Sequence, residues 1–117
     1  MKFDHFEDMM VWQKSQELTL LIYKTFQSIK DFGFRDQIQR AAVSISNNIA
    51  EGFDAGTNPE FIRFLKISRR SASEVQSELY LALDRNYISQ DELTKAYDLA
   101  TETKRLINGM IGYLRKS

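Results

Sequence analysis

Apolar residues recur along this chain at steps of three, four and seven, the spacing of one face of an α-helix. Val11, Leu18, Ile22, Phe26 and Ile29 form a first stripe, widened by Met9, Trp12 and Leu21. Glu7 and Asp8 suit the positive end of a helix dipole ahead of it. The pattern predicts a first helix over about 7–30, broken by Asp31-Phe32-Gly33. Ile38, Ala41, Ala42, Ile45 and Ile49 predict a second over about 34–51, with Gly52 standing where a C-terminal glycine cap would stand. Small residues at Ala41, Ala42, Ser44 and Ser46 would let a neighbouring helix approach closely. A turn-rich loop, Phe53-Asp54-Ala55-Gly56-Thr57, follows. Asn58 is then read as the cap of a third helix over about 59–86, with Pro59 in its first turn, where a missing N–H costs nothing. Its stripe is Phe61, Leu65, Ser68, Ala72, Val75, Leu79, Ala82 and Leu83. Ser89-Gln90-Asp91-Glu92 spells a capping box that opens a fourth helix over about 90–115. Leu93, Tyr97, Ala100, Ile107, Ile111 and Leu114 carry that helix's stripe, with Gly109 and Gly112 as weak points.

Four amphipathic helices on short loops predict an all-α, antiparallel up-down-up-down four-helix bundle filling residues 1–117 as a single domain. No stretch alternates with the period of a strand. Tyr23, Phe26, Met110, Tyr113 and Leu114 exceed what one interior can hold, which predicts contact with another subunit, the alternative being scattered surface aromatics.

Composition narrows the chemistry. The 117 residues carry 16 basic and 16 acidic side chains, so there is neither a basic coat nor an acidic tail. The absence of cysteine excludes disulfides, thiolate zinc sites and a thiol nucleophile. The opening Met1-Lys2-Phe3-Asp4-His5-Phe6 lacks the apolar run of a signal peptide, and no stretch reads as a membrane span, so the expected location is the cytoplasm. A di-metal carboxylate site in a bundle wants paired Glu-x-x-His motifs, whereas His5 is the single histidine here. No cofactor or metal is therefore expected. Ser44, Ser46, Ser68, Ser71 and Ser73 have no histidine base within helical reach. They read as close-packing residues whose hydroxyls bond the preceding turn.

Two constellations keep two readings each. Asn48 with Glu51, and Glu74 with Glu78, share helix faces; they could form an acid–base pair or satisfy helix ends and neighbouring arginines. From Phe61 to Ser73 there are four basic residues, Arg63, Lys66, Arg69 and Arg70, and no acid. Arg63, Lys66 and Arg70 share one face and could neutralise a phosphate backbone, or pair with Glu60, Glu74 or the acids of another subunit. Lys104, Arg105, Arg115 and Lys116 form a second basic set.

The order of residues is more specific than these patterns. Val11-Trp12-Gln13-Lys14, the block Gln37-Ile38-Gln39-Arg40-Ala41-Ala42-Val43-Ser44-Ile45, then Asn48-Ile49-Ala50-Glu51-Gly52, and Phe61-Ile62-Arg63-Phe64-Leu65 followed by Ser71 and Glu74 resemble the four-helix-bundle proteins encoded in intervening sequences of bacterial 23S ribosomal RNA genes. The resemblance spans Phe6 to about Leu114. It implies a homopentameric barrel. A related branch, the accessory protein of diversity-generating retroelements, is a basic pentamer that binds nucleic acid and a reverse transcriptase. No catalytic residue is implied. Trp12, Gln37, Ser44, Asn48, Glu51, Gly52, Ser71 and Glu74 are the shared motif positions, with Asn48, Glu51, Ser71 and Glu74 assigned to helix ends and interfaces. The chain departs from the family in the loop after Glu51-Gly52, which holds Asp54 and no base, and in its neutral charge.

The function expected on these grounds is non-enzymatic: an oligomeric bundle associated with structured RNA or a nucleic-acid-processing protein, with Arg40, Arg63, Lys66, Arg69 and Arg70 contacting phosphate. The alternative is a protein-binding scaffold with no nucleic-acid role. A bound metal, or a buried polar pocket with strongly perturbed carboxylates, would point instead to an enzyme.

Overall fold

The computed structural model describes residues 3–117; Met1 and Lys2, which begin the N-terminal stretch read above, lie outside the described residues. A short 3-10 turn, Phe6–Asp8, leads into α1 (Met10–Phe26), α2 (Phe32–Phe53), α3 (Asn58–Asp84) and α4 (Gln90–Lys116). α1 packs on α2, α2 on α3, α3 on α4 and α4 back on α1, while the diagonal pairs stay apart. This is an antiparallel four-helix bundle of 46 × 21 × 20 Å. Among the described residues there is no strand, and no helix is long and apolar enough to cross a membrane.

The apolar stripes meet along the axis. Met9, Leu18, Ile22, Phe26, Ile38, Ile45, Ile49, Leu65, Val75, Leu79 and Ile107 are fully buried. Phe26 and Leu114, read above as surplus to one interior, belong to this core; Tyr23 and Tyr113 stay exposed.

Several boundaries move for local reasons. Glu7 and Asp8 lie in the 3-10 turn, and Met9 is extended, because its side chain is drawn wholly into the core while Phe6 packs edge-on against Trp12 at 5.3 Å. α1 thus starts at Met10, and it stops at Phe26 instead of about residue 30. Asp31-Phe32-Gly33 is a start as well as a break: the Asp31 carboxylate accepts from the Phe34 N–H and opens α2 at Phe32. Thr57, not Asn58, caps α3. The Asn58 amide instead donates to the Leu114 carbonyl at the end of α4. α3 ends at Asp84 in a Schellman closure, with the Tyr87 N–H on Ala82 O and the Asn86 N–H on Leu83 O. Asn86 occupies its left-handed position at φ 61°. The Ser89–Glu92 capping box is formed in both directions.

Gly52 is not a C-terminal cap. α2 continues through it to Phe53, and Asp54 ends the helix. A Cβ at Gly52 would lie 2.8 Å from Phe64 Cβ and 2.9 Å from Phe61 Cδ1. The residue is glycine because α3 crosses there at backbone distance.

Candidate functional site

α2 and α3 run antiparallel so that Gly52 meets Phe61 and Phe64, Ile45 meets Ser68, Ser44 meets Ser71, and Gln37 lies across from Glu78. Small side chains on both helices permit this. Ser68 sits wholly buried and donates to the Ile45 carbonyl at 2.8 Å, a bond between helices and not to its own preceding turn. Ser46 does bond its own helix, at Val43 O. Ser73 is exposed.

The outer edge of this seam is polar. The Asn48 amide donates to Ser44 O at 2.8 Å and to Ser44 Oγ at 3.0 Å, and Ser44 Oγ shares a hydrogen bond with Ser71 Oγ at 3.0 Å. The Ser44–Ser71 bond thus ties α2 to α3 in mid-helix, and Asn48 holds Ser44 from one turn along α2 itself. Gln37, Arg40, Ala41, Ser44, Ser71 and Glu74 surround a cleft of about 290 Å3. Glu51 lies exposed outside it. Trp12, on α1, packs on Phe6 and gives its carbonyl to the Ser15 hydroxyl, far from this chemistry.

One turn beyond the cleft, Glu78 is 8 % exposed, and neither carboxylate oxygen has a hydrogen-bond partner. Burial pushes its carboxyl up to about 7, the nearby Glu74 carboxylate adds to the rise, and the Gln37 amide only tempers it. Helical phase carried the signal: Glu78 follows Ser71 by seven residues and Val75 by three, on the flank that faces α2. Polar character alone places it with Glu74, which is exposed. Glu78 does not line the cleft, so its raised carboxyl has no pocket in which to meet a substrate, and the condition given above for an enzyme is not met by it.

The basic residues divide. Arg63 bonds Glu60 at 3.1 Å and lies over the Phe64 ring. Arg69 turns toward α4 and donates to Asn108 Oδ1 at 2.7 Å, so it leaves the stripe. Arg40, Lys66 and Arg70 make no hydrogen bond or ion pair among the described residues. Arg63, Lys66 and Arg70 share the outer face of α3, and Arg40 stands across the cleft on α2. Among the described residues no group of three His, Asp or Glu side chains converges as a metal site would.

No functionally curated protein matches the chain. A solved structure described as a protein with unknown function from the S23 ribosomal protein family of Bacteroides thetaiotaomicron superposes with a TM-score of 0.80 at 30% identity, covering 86% of this chain and 97% of that one. The family model for the 23S rRNA-intervening sequence protein matches residues 7–109. On that match, which covers the first three helices and most of the fourth, the chain belongs to the family of 23S rRNA-intervening sequence proteins.

Proposed function

We propose that this protein is a non-enzymatic, cytoplasmic helical bundle that assembles into a homo-oligomer, a pentamer by the family resemblance, and binds structured RNA or a ribonucleoprotein through the α2–α3 face. The observation that carries the reading is the two unpaired cations Lys66 and Arg70 on the outer face of α3, beside Arg63, which Glu60 partly neutralises, with the unpaired Arg40 at the cleft on the α2 side. On one subunit this is a small patch in a neutral protein. Repeated around a ring it becomes multivalent, and several weak phosphate contacts add to useful affinity.

The test is fluorescence anisotropy with a structured RNA across a salt series. Binding through these residues makes log affinity fall linearly with log salt, by roughly 0.7 to 0.9 per phosphate contacted. Reversal of Arg40, Lys66 and Arg70 to Glu is expected to weaken binding at low salt and flatten that slope by about two to three. Unchanged affinity in the triple variant would overturn the assignment.

The protein-scaffold reading is favoured by a different observation. Leu20, Tyr23, Phe32, Tyr80 and Leu81 are exposed on the outer faces. Salt-insensitive RNA binding, or none at all, would favour that reading.

A further inference from the structure

The α2–α3 seam contains a group that the proposed binding role does not use. Glu78 lies inside it with both oxygens removed from solvent and without a hydrogen bond of full geometry, the Gln37 amide being the polar group that acts on it across the seam. A carboxylate there would lack both hydration and a counter-charge, an arrangement that costs far more than burying a neutral acid.

The surrounding charges offer no remedy. On its own helix, one turn away, stands Glu74, of like sign. Across the seam on α2 the facing group is the neutral Gln37 amide. Arg40, the next turn of α2, lines the outer cleft with Glu74 and makes no ion pair with Glu78. Asp36 faces the α1–α2 groove beside Tyr23. On α4, Lys104 reaches α3 at Gln76, which faces α4 through Tyr97 and Thr101. Asp31, Arg85 and Tyr87 close on one another at the far end of the seam.

We infer that Glu78 is a proton-operated latch: held in the α2–α3 seam as a neutral acid, it is driven out on ionisation and loosens the helix pairing beneath Arg40 and Glu74. A neutral carboxyl needs far less solvation than an ionised one, so the seam can stay closed around it. An ionised one must leave the seam to reach water. The inference goes beyond the proposed binding function and holds whether or not this face takes RNA.

The sign follows from burial. A carboxyl raised from 4.5 to about 7 makes the folded state hold its proton while the unfolded chain has released it. The stability this group lends is therefore fullest below about 4.5, falls as pH rises toward 7 and levels off above it.

The experiment combines a carbon-13 titration of the Glu78 carboxyl by NMR with chemical denaturation of the full chain from pH 5 to pH 8. The expected midpoint is near 7, and the folding equilibrium constant drops by roughly fiftyfold to a hundredfold from this group over that range. Amide exchange in α2 and α3 should quicken above the midpoint. Glu78→Gln is expected to abolish that part of the pH dependence. Glu74→Gln, an exposed change that leaves the seam intact, should lower the Glu78 midpoint. A Glu78 midpoint near 4.5, or the same pH slope in Glu78→Gln as in the native chain, would overturn the inference.

Discussion

A methyl group at residue 52 has nowhere to go. Its nearest neighbours would be Phe64 Cβ at 2.8 Å and the Phe61 carbonyl at 3.3 Å, atoms that move only if α3 moves. Gly52→Ala is therefore expected to destabilise the fold by about 2 kcal/mol, the range of an overpacked core, although alanine is the better helix former. Denaturant midpoints would check this; a neutral or stabilising effect would mean the helix crossing is softer than its geometry. The same residue shows why local reading stops short. A glycine after a helical stripe reads as a cap, since caps are its commonest use there. What sets its identity is a partner helix 9 to 12 residues further on, which no local pattern reports. Ser44, Asn48 and Ser71 behave likewise. Their types suggest helix ends, interfaces and close packing, while the Ser44–Ser71 pair across α2 and α3, which Asn48 supports from α2, depends on the antiparallel register.

At the scale of helices, the legible parts are those encoded within one turn. The capping box at Ser89 is a four-residue signal, and it forms as spelled. Ser89→Ala is expected to lower stability by about 1 kcal/mol, because the Glu92 N–H loses its acceptor at the opening of a 27-residue helix. The stripes of all four helices point to the core for the same reason: their period is the helix's own. The errors cluster where a tertiary contact decides the end. Met9 stops α1 from beginning at Glu7 by entering the core. Asn58 leaves the capping role to Thr57 and serves α4 through the Leu114 carbonyl, 56 residues away in sequence. The candidate site divides on the same line. Spacing puts Arg63, Lys66 and Arg70 on one face of α3, but it cannot report Arg69 turning to Asn108 or Arg63 settling on Glu60 and Phe64.

At the scale of the molecule, the outer surface exposes several large apolar side chains. Leu20 is 62% exposed and Met10 64%, and Tyr23 lines an open groove with Val43 and Arg40. Leu20 and Tyr23 lie three residues apart on the outside of α1, so a subunit seated there would cover both at once. Burying such residues is a common source of the hydrophobic gain in association, whereas scattered single exposures need no partner. The two cases part under one substitution. Leu20 is in contact with solvent and outside the core, so Leu20→Glu should leave the thermal unfolding of the isolated bundle within about 0.5 kcal/mol of the native chain. If α1 is an assembly face, sedimentation velocity will show the native chain as an oligomer and the variant shifted toward monomer. Phosphate binding through Arg40, Lys66 and Arg70 should then weaken in the same variant although no cation has been touched, because multivalency is lost with the ring. An unaltered oligomer would move the interface to another face. A native chain that sediments as a monomer would remove the ring itself, and with it the amplification on which a patch this small depends.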